Sequence, residues 1–128
     1  MNTNEHESEI LDRLAEKVIG AAYEVSNSLG AGFLEKVYER ALTCELTLRG
    51  LKTRQQVHYP VLYKGQPVGE YVGDLVVADM VLVELKCVER FMGEHTAQCI
   101  NYLKASGLRL ALIFNFQKPK VEWKRIIW

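Results

Sequence analysis

The chain has 128 residues, of which 48% are hydrophobic and 25% are charged, the composition of one globular domain with its own core. No apolar run approaches the roughly 20 residues of a membrane-spanning helix, and the polar, acidic N-terminus does not resemble a signal peptide. We therefore expect a single cytoplasmic domain over residues 1–128, with residues 1–8 flexible and no membrane association.

Charge is balanced overall but unevenly distributed. Sixteen basic residues match sixteen acidic ones, so net charge does not indicate a nucleic-acid-binding protein. Residues 1–48 hold four basic and nine acidic residues, a net charge of −5, whereas residues 49–128 hold twelve and seven, a net charge of +5. The basic part could hold a phosphate backbone, although ordinary unevenness explains the difference equally well.

The three cysteines, Cys44, Cys87 and Cys99, are odd in number and widely spaced. This spacing fits neither a disulfide framework nor a zinc site. We therefore predict three buried thiols in a reducing compartment.

The first half of the chain has helical periodicity. Apolar residues recur at helical spacing over residues 8–28 and again from Leu34, which predicts two helices. Gly30 and Gly32 permit a tight turn between them, and Gly50 is the expected end of the second helix.

From residue 57 the apolar period changes to two, which predicts strands over residues 57–63, 71–77 and 81–87. Pro60 places the first of these at a sheet edge or bulge. Residues 94–106 form a third predicted helix, ended by Gly107. A strongly apolar, central strand is predicted over residues 108–116, and a last strand over 121–127. The order α-α-β-β-β-α-β-β predicts an α/β fold in which helices flank one mixed sheet.

Three charged residues interrupt the apolar pattern of the second and third strands. Asp74, Glu84 and Lys86 follow the spacing D-x9-E-x-K. Since alternate strand residues share a face, a three-residue loop over residues 78–80 places Asp74 opposite Glu84, with Cβ atoms about 5 Å apart. A two-residue loop would put the acids on opposite faces.

Two facing carboxylates repel each other by roughly 3 kcal/mol at 5 Å and an effective dielectric of 20. If they were ordinary solvated charges, polar neighbours would be expected, but the neighbours on this face are Val72, Val76 and Leu82. Charges in an apolar face are costly unless they are paired or functional. A magnesium or manganese ion bound by both acids is therefore predicted.

A divalent cation at this pair suits phosphodiester hydrolysis, because it polarises a phosphoryl oxygen and lowers the pKa of water. Lys86 can position that water or stabilise developing negative charge. The backbone carbonyl of Leu85 is a candidate third metal ligand beside Asp74 and Glu84.

At these residues the chain resembles the PD-(D/E)XK nuclease superfamily. Asp74 corresponds to the motif aspartate and Glu84-Leu85-Lys86 to (D/E)XK, while Gly73 replaces the usual proline. Residues 33–116 match the α-β-β-β-α-β order of the superfamily core. The resemblance implies a restriction-endonuclease-like fold and a Mg²⁺- or Mn²⁺-dependent nuclease, with DNA more expected than RNA as the substrate.

A narrower resemblance is to the GxxExxY protein family, a branch of that superfamily. Its signature matches Gly32, Glu35 and Tyr38, and supporting residues extend over nearly the whole chain. They are Gln55-Gln56, Tyr63-Lys64-Gly65, Asp74, Glu84-Leu85-Lys86, Gln98, Asn101-Tyr102-Leu103-Lys104 and Asn115-Phe116.

The resemblance implies further site residues. Glu35 resembles the helix glutamate that completes the acidic cluster, and Gln98 and Tyr102 resemble the Q-x-x-x-Y motif of the RecB-like branch. Simpler interpretations are a dipole-compensating Glu35 and a polar seam of Gln98 and Tyr102 on one helix face. Tyr38 is more typical of a core residue. His95, one turn before Gln98, either joins the site or is an ordinary surface residue.

Two other functions remain open: a nuclease fold that binds nucleic acid or protein without cutting, and a protein that needs a homodimer or partner to complete its cleft. Trp123 and Trp128 on the last strand could form such an interface, although packing against the sheet is the simpler interpretation.

Overall fold

The computed structural model describes residues 3–128. Within this range it has three helices and five strands in the predicted order, which confirms the predicted α/β fold. They are α1 (Thr3–Leu29), α2 (Glu35–Leu48), β1 (Thr53–Tyr63), β2 (Gln66–Val77), β3 (Val81–Lys86), α3 (Gly93–Ser106), β4 (Leu110–Asn115) and β5 (Glu122–Ile127).

The first helix is longer than predicted, since it begins at Thr3 rather than residue 8. Glu5 lies in its first turn, where an acidic side chain complements the helix dipole. Within this extension, the Glu7 carboxylate forms an ion pair with Arg109 at 3.5 Å. Residues 1 and 2 of the segment predicted to be flexible lie outside the described residues.

The five strands form one mixed sheet in the order β1-β2-β3-β4-β5. Only β3 and β4 pair in parallel within the described sheet, and the other neighbours are antiparallel. Pro60 lies in the edge strand β1, as predicted. All six residues of β4 are buried, and this strand lies between β3 and β5, which agrees with the interior position expected from its apolar sequence.

Helices cover both faces of the sheet. Apolar residues of α1 and α2, among them Val18, Tyr38 and Leu42, pack against one face. The other face, which carries Val76 and Leu82, packs against Cys99, Tyr102 and Leu103 of α3. Because side chains alternate along a strand, even-numbered residues of β3 face α3, and this places Glu84 and Lys86 on that side.

Two predictions about side-chain burial were wrong. Cys44 is exposed and Cys87 is only partly buried, whereas Cys99 is buried as predicted. Cys44 is exposed because the buried face of α2 is formed by Tyr38, Glu39, Leu42 and Leu46, and Cys44 lies between these positions on the opposite side.

The two tryptophans pack only in part. Trp123 is 40% exposed and Trp128 is 56% exposed, and the Lys104 ammonium lies 4.6 Å from the Trp128 ring centre. Among residues 3–128, none of the helices combines the length and apolar character that crossing a membrane requires.

Candidate functional site

The register of the β2–β3 hairpin brings the two predicted acids together. Val77 pairs with Val81 across a three-residue loop, and Leu75 pairs with Val83, which is the first of the two loop alternatives considered from the sequence. Two backbone N–H groups beyond this pair donate to carboxylates. The Asp74 N–H donates to Glu84 Oε1 at 3.1 Å, and the Leu85 N–H donates to Asp74 Oδ2 at 2.9 Å.

The acids line a pocket of about 290 Å³ between the hairpin and α3. Lys86, Gln98 and Tyr102 also line it, so the structure brings together five of the six predicted catalytic residues. The full lining is Glu70, Tyr71, Val72, Asp74, Glu84, Lys86, His95, Gln98, Cys99 and Tyr102.

Burial of the acidic pair disfavours its full ionisation. Desolvation and the nearby Asp74 charge together raise the pKa of Glu84 to about 8, although the Lys86 ammonium opposes both effects. Each carboxylate retains one oxygen that does not accept from these backbone N–H groups. The pair therefore holds a shared proton or a cation more readily than two separate negative charges.

Glu84 should make the metal-free protein less stable as pH rises. Its pKa is about 8 in the folded state and 4.5 in the reference state. Between these values the folded protein retains a proton that the unfolded chain releases, so the free energy of unfolding falls with increasing pH. Glu84→Gln should remove this loss. Urea unfolding in EDTA between pH 5 and pH 9 tests this prediction, and equal slopes for both proteins would contradict it.

The donor set fits a hard cation that keeps part of its water shell. Two carboxylates are characteristic of magnesium sites completed by water and phosphate oxygens. The Lys86 carbonyl accepts from the Phe116 N–H on the β4 side. Since peptide groups alternate along a strand, the Leu85 carbonyl is directed toward β2 and the acids. No group of three His, Cys, Asp or Glu side chains in residues 3–128 is arranged to hold a metal.

Tyr102 positions strands instead of presenting a free hydroxyl. Its OH donates to the Val57 carbonyl at 3.0 Å, and burial raises its pKa to about 12. Its ring fills the space above Gly73, where an added Cβ would lie 3.0 Å from two Tyr102 ring atoms and 2.6 Å from Leu82 Cδ1. Glycine precedes Asp74 because a larger residue does not fit there.

Gln98 and His95 occupy the α3 side of the pocket. Gln98 is exposed, so its amide is accessible to a ligand at the pocket. His95 is partly buried, and its Nδ1 accepts from the Met92 N–H at 3.0 Å at the start of α3. This bond makes Nε2 the protonated ring nitrogen of a neutral His95. His95 is therefore both a helix cap and a pocket residue.

Glu35 lies near the pocket but does not line it. Its carboxylate accepts a hydrogen bond from the Cys87 N–H. Burial and then the Asp74 charge raise the pKa of Glu35, while Lys86 lowers it. The predicted third acid is thus within electrostatic range of Asp74 and adjoins the chain that follows Lys86.

Tyr38 fixes the loop before Glu35. Its hydroxyl donates to the Gly30 carbonyl at 2.6 Å and accepts from the Phe33 N–H at 3.2 Å. Its ring stacks on Phe116 with centroids 4.7 Å apart. Tyr38 is a core residue, as expected, and its polar end also holds the glycine turn that leads to Glu35.

A buried glutamate on α2, Glu39, was not predicted from the sequence. Glu39 is 4% exposed and accepts from Gln55 Nε2 at 3.0 Å, Gln56 Nε2 at 2.8 Å and Lys36 Nζ at 3.1 Å. Strand neighbours normally point to opposite faces, yet both glutamines reach Glu39. The left-handed φ of 51° at Gln56 accompanies this arrangement.

One hydrogen-bond partner of Glu39, Gln56, lies on β1 next to the Asp74 segment of β2. Gln56 lies between the β1–β2 pairs Gln55↔Leu75 and Val57↔Gly73, and so opposite Asp74. The strained backbone of Gln56 costs roughly 1–3 kcal/mol, which the hydrogen bonds to Glu39 offset. Glu39 is in helical phase with the buried Leu42 and Leu46, and this phase was the available sequence signal.

Glu39→Ala should lower the free energy of unfolding by about 2 kcal/mol, because three hydrogen bonds to a buried charge are lost while the donors can reach water. Glu45→Ala is the matched control, since Glu45 pairs with Arg49 on the same helix at 2.7 Å and such exposed pairs contribute about 0.5 kcal/mol. Urea unfolding measures both. Equal losses would show that the buried contacts do not stabilise the fold.

Asn115, to which the sequence assigned no role beyond the family resemblance, holds the chain beyond Lys86. The fully buried Asn115 accepts from the Val88 N–H at 3.2 Å and donates to the Val88 carbonyl at 2.8 Å. This two-point contact fixes the exit of β3, where Lys86 is the last residue.

Comparison with known proteins gives the family. A family profile described as the PD-(D/E)XK nuclease superfamily matches residues 12–126. The chain belongs to this superfamily, and the predicted restriction-endonuclease-like fold is confirmed. The narrower assignment to the GxxExxY family stays a prediction.

One solved structure has a fold similar to that of this chain. The crystal structure of SSO0001 has a TM-score of 0.57 and 14% sequence identity, and the match covers 72% of this chain. At this identity the likeness shows the fold alone. This chain spans about half of that protein's length, 48%. A search of curated proteins finds no match.

Proposed function

We propose that this protein is a Mg²⁺- or Mn²⁺-dependent nuclease that hydrolyses phosphodiester bonds, with DNA as the expected substrate. One observation carries the proposal: Asp74 and Glu84 lie side by side in a pocket that also contains Lys86. Membership of a nuclease superfamily supports the reaction class, and the preference for DNA rests on the resemblance of Asp74 and Glu84-Leu85-Lys86 to the PD-(D/E)XK motif.

Asp74, Glu84 and the Leu85 carbonyl would hold the cation. When bound there, it supplies positive charge at the phosphodiester and acidifies water. The Leu85 N–H donates to Asp74 Oδ2 at 2.9 Å, which orients that carboxylate before any ligand arrives. Such preorganisation lowers the cost of reaching the transition state.

Lys86 is suited to stabilise the negative charge that develops on phosphate. It forms no ion pair within 4.0 Å in the part of the chain that the structure describes. Its ammonium is therefore available to orient water or to contact a phosphoryl oxygen. The exposed Gln98 amide can donate to the substrate, whereas Tyr102 acts by holding β1 and Gly73 in place.

Glu35 is proposed as a supporting acid rather than a direct metal ligand. It does not line the pocket, but besides burial the Asp74 charge raises the pKa of Glu35 and the Lys86 charge lowers it. Its bond to the Cys87 N–H places it where it can set the position of Lys86 and the electrostatic field at the pair.

Cleavage of labelled single- and double-stranded DNA and RNA, with magnesium, manganese or EDTA, tests the proposal. We expect cleavage with either metal and none with EDTA. Metal-independent cleavage would contradict the proposed chemistry. Nucleic-acid binding without cleavage under every condition would identify the alternative, a binding module on a nuclease fold.

A further inference from the structure

A second groove adjoins the pocket that holds the acids. It has a volume of about 590 Å³, within the range of roughly 300–1,000 Å³ typical of ligand sites. Tyr71 lines both spaces, so the groove continues from the pocket between β1 and α3. Its lining is Tyr59, Pro60, Val61, Leu62, Tyr71, Asn101, Lys104 and Ala105.

The two tyrosine rings of this groove are held in fixed positions. The Asn101 amide donates to the Tyr71 hydroxyl at 3.2 Å. Tyr59 packs edge-on against Tyr102, with centroids 5.8 Å apart and an interplanar angle of 68°. Both rings remain partly exposed. Fixed, partly exposed aromatic rings are well suited to stacking against a planar ligand.

The groove also has a cation at its rim. Lys104 lines it, and its ammonium lies over the Trp128 ring at 4.6 Å from the centroid. Positive charge beside aromatic rings is the combination by which proteins bind single-stranded nucleic acid, because the cation contacts phosphate while bases stack. A purely apolar ligand would gain nothing from Lys104 or from the Asn101 amide.

We propose that this groove binds an unpaired nucleotide of the substrate next to the phosphate that a cation at Asp74 and Glu84 would hold. The inference rests on the proposed nuclease function and adds the substrate class: single-stranded nucleic acid or a frayed end. In a duplex the base faces are stacked and cannot enter a groove between β1 and α3. The base lies against Tyr59 and Tyr71, and Lys104 contacts the adjoining phosphate.

Fluorescence anisotropy with a labelled dT oligonucleotide and a duplex of the same length tests the proposal. Calcium replaces magnesium so that binding is measured without cleavage. We expect the single strand to bind more tightly than the duplex. Tyr71→Leu should weaken single-strand binding about tenfold, the loss expected for one stacked base.

Lys104→Ala provides a test on a surface residue, and Lys120→Ala is its matched control. Lys120 lies over the Tyr23 ring at 5.8 Å, so each variant loses one charge and one cation–π contact, but only Lys104 lines the groove. We expect Lys104→Ala to weaken single-strand binding several-fold and Lys120→Ala less than twofold. If Tyr71→Leu does not fold, the comparison of Lys104→Ala with Lys120→Ala tests the groove proposal by itself.

Equal effects of the two lysine variants, or tighter binding of duplex than of single strand, would overturn the groove proposal. Cleavage by the parent protein in magnesium would then still support the nuclease function. Conversely, single-strand preference that depends on Lys104, without cleavage in magnesium or manganese, would support the groove and contradict the nuclease proposal.

Discussion

Glu84→Ala and Lys86→Ala should each reduce cleavage by at least about a hundredfold, the loss typical of removing one electrostatic contact to the transition state. Glu84→Ala removes one of two cation ligands, and Lys86→Ala removes the ammonium that stabilises charge on phosphate. Neither change should unfold the protein. Glu84→Ala removes a buried carboxyl group whose pKa is raised to about 8 by desolvation and by the Asp74 charge. Single-turnover cleavage and thermal unfolding measure the two effects.

Asp79→Ala and Lys52→Ala are matched controls for these variants. Asp79, in the loop between β2 and β3, and Lys52, just before β1, form an ion pair of 2.9 Å, and both side chains are largely exposed. They should leave cleavage within about twofold of the parent rate, since exposed pairs contribute little. If Glu84→Ala and Lys86→Ala cleave like these controls, the active centre lies elsewhere.

Gly73→Ala is expected to have the largest structural effect. A methyl group at this position would lie 2.6 Å from Leu82 Cδ1 and 3.0 Å from the Tyr102 ring, both of which are buried. Overpacking of this kind costs about 1–3 kcal/mol, and two simultaneous contacts favour the upper end. The displaced backbone belongs to the residue before Asp74, so cleavage should fall as well. Urea unfolding and cleavage assays measure both losses.

Gly69→Ala is the matched control, because Gly69 lies on the same strand and an added Cβ would meet nothing within 4 Å. It should change the free energy of unfolding by less than about 0.5 kcal/mol. Combining Gly73→Ala with Leu82→Ala should cost less than the sum of the single changes, since the new methyl group occupies part of the cavity. Equal losses for Gly73→Ala and Gly69→Ala would show that the space above Gly73 is not restricted.

The sequence predicted the acidic pair because the evidence for it is local. With a three-residue loop, strand alternation places Asp74 opposite Glu84, whereas a two-residue loop would put the acids on opposite faces. The structure has the three-residue loop, in which Val77 pairs with Val81. The helix order and the glycine turns were equally local, which is why the fold class was predicted correctly.

Contacts between distant segments could not be predicted in the same way. Nothing local to Tyr102 indicates that its hydroxyl binds the Val57 carbonyl, or that its ring excludes a side chain at Gly73. The sequence shows only that Gly73 replaces the usual motif proline, whereas the structure gives a steric reason for glycine. Strand alternation predicts that Gln55 and Gln56 point to opposite faces of the sheet. The sequence therefore did not indicate that both side chains contact Glu39.

The position of Glu35 on α2 was predicted, but its contact with the end of β3 was not. Its place at the start of α2 was expected from helix electrostatics and from the resemblance. The contact with the Cys87 N–H depends on how α2 packs against the end of β3, which no spacing in the sequence specifies. The charge of Asp74 contributes to the raised pKa of Glu35. A role for Glu35 in the reaction is a proposal.

Calorimetric titration with Mn²⁺ tests most directly whether Asp74 and Glu84 form a divalent-cation site, since it requires no substrate. We predict one saturable site in the parent protein, its loss in Asp74→Asn and Glu84→Gln, and its retention in Asp79→Asn. Binding to the folded state should also raise the unfolding temperature of the parent protein. No binding at millimolar Mn²⁺, or equal binding by all four proteins, would contradict the account.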